Sequence, residues 1–162
     1  MLLPPSTNAD YRGSPWAPRF LVLVGLVTVV PGFIHYFLPD GGAGVIAGLD
    51  LSRQPALIIG MFAWMGATQI AWGLAELFVA FRYRTLTPLF LLLALIKDVM
   101  ASVSAWITKP GLIGHHPPEN YGVLVGVPLL VIFLWLSLRS TDRQRSSQPT
   151  TRTAMSASGR QC

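Results

Sequence analysis

Charge is what this sequence has least of. Asp, Glu, Lys and Arg together make up 12% of its 162 residues, against roughly 25% in an ordinary soluble domain. Long stretches carry no charge at all, while 52% of the residues are hydrophobic. That combination disfavours a soluble enzyme, a nucleic-acid module and a disordered regulator together, and predicts an integral membrane protein. Cysteine is nearly absent as well. The one cysteine is Cys162, so no disulfide can form within the chain. No C-x-x-C pair, phosphate loop, G-x-S-x-G or H-E-x-x-H motif occurs. Haem could take His35, but bis-histidine ligation within a bundle needs a second helical histidine. The other two, His115 and His116, fall in a predicted loop. No cofactor is predicted.

What is present is a set of long apolar runs. About 20 helical residues cross a hydrocarbon core of roughly 30 Å. The runs predict an all-α, antiparallel bundle of four transmembrane helices over about 19–38, 55–81, 86–108 and 121–138. Residues 1–18 are polar, proline-bearing and irregular, and a cytoplasmic segment is expected there. The first run starts too far from the N-terminus, and ends too aromatically at Phe33–Phe37, to look like a cleaved signal peptide. Pro39-Asp40-Gly41-Gly42 reads as a turn, followed by a short apolar stretch, Ala43 to Leu49, suited to the outer interface. Asp50 or Ser52 is expected to cap the second helix, with Pro55 in its first turn. The four-residue link 82–85 predicts a tight hairpin of helices two and three. Residues 139–162 are Ser, Thr, Arg and Gln with little else, a composition expected to be disordered.

The formal net charge is +5, and the positions of the bases explain it. Arg12 and Arg19, Arg82 and Arg84, and the tail arginines 139, 143, 145, 152 and 160 all fall on one side of a four-crossing bundle. The other two loops carry one base each, Arg53 and Lys109. The positive-inside rule then places both termini in the cytoplasm of a cell with an inner membrane. The basic tail is expected to meet anionic lipid. It lacks the aromatic interleaving of a nucleic-acid binder, and no nucleic-acid partner is predicted. Small residues repeat along helix two, at Ala63, Ala67, Ala71 and Ala75 and on a neighbouring face at Gly66 and Gly73. Gly122 and Gly126 pair on helix four. Such rows let helices approach closely in lipid, within the chain or in a homo-oligomer or a complex with another membrane protein.

The informative residues are charges inside the runs. Met65, Gln69, Trp72 and Glu76 share one face of helix two, and Lys97 and Asp98 lie in helix three. A charge at membrane depth costs at least about 2.5 kcal/mol, so each is expected to face the interior and find a partner. Side chains lean toward their own helix N-terminus, which brings Glu76 and Lys97 toward each other across an antiparallel hairpin. A Lys97–Glu76 bridge is the expected pairing, with Gln69 and Trp72 donating nearby. One lysine against two carboxyls leaves one carboxyl without a base, expected to hold a proton near neutral pH. The cluster reads either as a polar network fixing helix register or as a ligand or proton site. Outside the membrane, His35, Asp40, Asp50, His115, His116 and Glu119 are ligand types for zinc or copper. Their spacing is poor for a site, and no metal is predicted.

Gly32 with the aromatic end of helix one, the 43–49 segment, and Trp72-Gly73-Leu74 with Glu76 before Arg82-Tyr83-Arg84 resemble the DoxX-like group of small bacterial membrane proteins. The resemblance covers about residues 19–138. It implies a four-helix membrane protein and transfers no catalytic residue. The resulting expectation is a non-catalytic accessory or interaction protein. The alternative is a small transport or ligand- and proton-binding protein centred on Glu76, Lys97 and Asp98.

Overall fold

The computed structural model describes residues 3–109 and 117–139. The tail from 140 onward, with its expected disorder, and the His115–His116 loop lie outside the described residues. The chain forms α1 (Trp16–Phe37), α2 (Pro55–Arg82), α3 (Thr87–Val103) and α4 (Pro118–Leu138), with no strand among the described residues. A single 3₁₀ turn, Arg84–Leu86, leads into α3, and a π-wound turn, Ser104–Thr108, ends it. All four helical stretches are long and apolar enough to cross a membrane. The protein is a multi-pass, four-helix membrane protein. Helices two, three and four each carry a proline in the first turn, where the missing N–H costs nothing.

Two helix pairs make up the bundle: α1 packs along α2, and α3 along α4. The expected tight hairpin of helices two and three is not what forms. The turn is short, yet α2 and α3 touch sparsely, and α1 contacts all three other helices. Glycines set the α1–α2 crossing. A Cβ built on Gly66 would lie 2.7 Å from the Gly32 carbonyl oxygen, and one on Gly73 would lie 2.9 Å from that of Gly25. The two backbones are therefore in contact. The alanine row does less: Ala67 and Ala71 remain exposed.

The common core consists of Ala17, Leu21, Val79, Ala80, Leu91, Ala94 and Leu130. These residues belong to the first turns of α1, the last of α2, the first half of α3 and the second half of α4. The four helices thus meet at the end where the arginines cluster, and Phe20 of α1 stacks on Phe133 of α4 there at 4.0 Å. Arg19 lies over the Trp16 ring and Arg139 over Trp135, the arginine–aromatic pairing suited to a headgroup boundary.

The N-terminal segment is built rather than irregular. Thr7 N–H and Ser6 Oγ donate to the Arg82 carbonyl at 3.2 and 2.9 Å, and Asn8 Nδ2 donates to that of Phe81 at 2.7 Å. Tyr83 Oη donates to the Pro4 carbonyl at 2.8 Å, and Ser14 N–H to that of Leu136 at 3.2 Å. The last carbonyls of a helix have no intrahelical donor. Here a strap of side-chain and backbone donors satisfies them at the ends of both α2 and α4.

Candidate functional site

Glu76 follows from the α2 stripe as the sequence placed it. It faces the bundle interior and is 0% exposed. Neither carboxyl oxygen has a hydrogen-bond partner among the described residues. Thr28 of α1 and Trp72, one turn along α2, lie beside the carboxyl. The Thr28 hydroxyl does not donate to it, because its hydrogen goes to the Val24 carbonyl at 2.9 Å. Trp72 stacks on Phe90 of α3, with ring centroids 5.6 Å apart, and so joins α2 to α3 where they otherwise barely touch. Gln69, two turns from Glu76 on the same stripe, keeps a buried Oε1 without a partner among the described residues.

The expected Lys97–Glu76 bridge is not formed. Lys97 Nζ pairs with its own neighbour, Asp98, at 3.2 Å from Oδ1. The cause is the separation of α2 from α3: the opposing lean of the two side chains does not bridge helices that diverge. The unpaired carboxyl of the three charges is therefore Glu76. Asp98 is packed against α4, where a Cβ on Gly126 would lie 2.9 Å from Asp98 Oδ2. Gly126 thus makes room for the carboxylate, whereas Gly122 faces open space. Lys97 is 52% exposed, near the middle of the Arg84–Thr108 span.

The opposite end of the bundle carries a turn built on Asp40, and no group of three His, Cys, Asp or Glu side chains comes together among the described residues. Asp40 accepts the backbone N–H groups of Gly42, Gly44 and Val45 at 2.9, 3.1 and 2.9 Å. These bonds to the ionised form hold its carboxyl below the ordinary aspartate range. Gly41 and Gly42 take φ of 63° and 75°, which the turn requires and a β-carbon would oppose. His35 Nδ1 lies 2.7 Å from the Gly41 carbonyl oxygen, and the ring meets Phe62 of α2 edge-on at 5.1 Å. His35 is thus a strut of the turn. Asp50 caps no helix. It accepts from Ser52 N and Oγ at 2.8 and 3.0 Å, while α2 begins after Gln54 without a side-chain cap. Glu119 lies in the first turn of α4.

At the arginine end, Arg12 and residues without a sequence signal of their own form a recess of about 230 Å³ lined by Tyr11, Arg12, Thr85 and Ser137 among others. Burial pushes the Tyr11 hydroxyl up to about 12, partly offset by the charge of Arg84. The polar run Ser6-Thr7-Asn8 was the available signal for this strap, since those residue types supply donors to open helix ends. No protein-family model, characterised protein or solved structure matches the chain.

Proposed function

We propose that this is a non-catalytic accessory protein of a bacterial inner membrane, working through contact with another membrane protein at the α3 face that bears Lys97. The observation that carries this reading is the exposure of Lys97. A lysine that is 52% exposed in the middle of a span faces hydrocarbon unless something covers it. Hydrocarbon offers no hydrogen-bond acceptor, and even with Asp98 alongside, the ammonium keeps donors to spare. A polar or acidic group of a partner helix would supply the acceptors. The resemblance to the DoxX-like group fits, since it implies a four-helix membrane protein with no transferred catalytic residue.

The orientation belongs to the same proposal. Arg12, Arg19, Arg82, Arg84 and Arg139 share one end of the bundle, and the positive-inside rule makes that end cytoplasmic. Reporter fusions after Arg84 should read cytoplasmic, and one after Ser52 external. For the contact itself, a photo-crosslinking residue at Met100, which is exposed one turn beyond Lys97, should give a protein adduct of discrete mass in native membranes. Lys97→Leu should abolish that adduct, and its mass separates a second copy from a different protein. Lipid adducts alone at Met100 would overturn the contact reading.

A further inference from the structure

We propose that Glu76 is a proton-binding site within the membrane span, taking up and releasing a proton inside the bundle. This goes beyond partner contact at Lys97 and rests on a different helix face. Glu76 is 0% exposed, and neither carboxyl oxygen has a hydrogen-bond partner among the described residues. A carboxylate in such a place would be an isolated charge in a low-dielectric interior, which is far costlier than a neutral acid.

The groups around it fit the neutral acid. Thr28 Oγ1 donates to the Val24 carbonyl at 2.9 Å, which leaves its lone pairs to face Glu76. Lone pairs can accept from a carboxylic O–H but offer nothing to a carboxylate. The indole N–H of Trp72 is a single donor, enough for the one C=O of a neutral acid and too few for two anionic oxygens. The second orphaned group on the stripe, Gln69 Oε1, is an acceptor too. A proton on Glu76 leaves one carbonyl oxygen to be satisfied instead of two anionic oxygens.

No neighbouring base displaces that proton. Between Arg53 and Arg82, Glu76 is the sole ionisable residue of α2. The span of α1 has none between Arg19 and His35, and that of α4 none between Tyr121 and Arg139. On α3 the charged groups are Lys97 and Asp98, which neutralise each other at 3.2 Å. Lys97 is therefore not available as a dedicated counter-ion for Glu76.

The test uses the full-length protein in lipid nanodiscs. Infrared spectroscopy at pH 7 should show the C=O stretch of a neutral carboxyl. That band should disappear in Glu76→Gln and persist in Asp98→Asn. It should shift in D₂O, because a site that releases its proton exchanges it, and it should be lost at high pH. In the unmutated protein, dicyclohexylcarbodiimide, which adds to neutral acids in apolar surroundings, should modify Glu76 and not Asp98, less so as the pH rises. This second measurement needs no variant, so a poorly folding Glu76→Gln leaves the proposal open to refutation. It is overturned if the unmutated protein lacks the neutral-carboxyl band, if the band survives in Glu76→Gln, or if it belongs to Asp98. A band that fails to shift in D₂O also overturns it, since the proton would then be a fixed part of the fold. None of these outcomes depends on whether Met100 crosslinks to a partner.

Discussion

Gly66 of α2 rests against the backbone of α1 at Gly32: a single added methyl group would stand 2.7 Å from the Gly32 carbonyl oxygen. Carbon does not approach oxygen that closely without movement, and the obstacle is main chain rather than a flexible side chain. Gly66→Ala must therefore push the two helices apart. Overpacking of this kind costs about 1–3 kcal/mol. Ala67, the next residue, is exposed and belongs to the alanine row that faces away. Ala67→Val should stay within about 0.5 kcal/mol of the parent protein. Unfolding in mixed micelles measures both. Equal losses at the two positions would mean that the alanine row, not the glycine contact, forms the helix interface.

The pairing of Lys97 with Asp98 changes the double-substitution experiment that the sequence invites. Lys97→Met and Asp98→Asn should be non-additive, with a coupling of about 0.5–3 kcal/mol, because each leaves the other's charge without its partner at membrane depth. Lys97→Met combined with Glu76→Gln should come closer to the sum of the single effects. The same unfolding assay reads both cycles. A larger coupling with Glu76 than with Asp98 would restore the bridge across the hairpin.

How much of this could be read from the residues depends on the kind of signal. The spans were legible because a long uncharged run has few other fates, and their ends fell close to the observed helices. Glu76 was legible for the same reason, since a charge inside such a run is driven inward, although Lys97, expected to follow the same rule, is 52% exposed. Its partner was not. The lean of two side chains brings them together only where helices joined by a short turn run side by side, whereas Gly25, Gly32, Gly66 and Gly73 draw α2 onto α1 instead. Sequence spacing put Gly66 and Gly73 on one face of α2 but could not say which helix they would meet. Neighbours on a helix point about 100° apart, yet the long lysine side chain folds back to reach Asp98 at 3.2 Å. The strap at residues 4–14 was missed because hydrogen bonds from Ser6, Thr7 and Asn8 to distant helix ends leave no periodic trace. The Asp40 turn was seen, and its three backbone donors were beyond reach.

Tyr11 gives the strap a signature in pH. Its folded value stands at about 12 against an ordinary 10.0, and burial is the leading cause. Both states are protonated below about pH 10, and there the contribution of Tyr11 to stability is fully present. As the pH rises from about 10 to about 12, the unfolded chain ionises the phenol while the folded chain keeps it neutral. The unfolded state then gains, and stability falls across that window. Thermal unfolding followed from pH 9 to pH 12 should show a melting temperature that declines, with the steepest part above pH 10. Tyr11→Phe cannot ionise and should flatten the decline while also losing the bond from Tyr11 Oη to the Ser14 carbonyl, 3.1 Å long. The variant should therefore start lower at pH 9 and lose less by pH 12. A decline of equal steepness in Tyr11→Phe would place the alkaline sensitivity elsewhere and show that the strap leaves Tyr11 open to water.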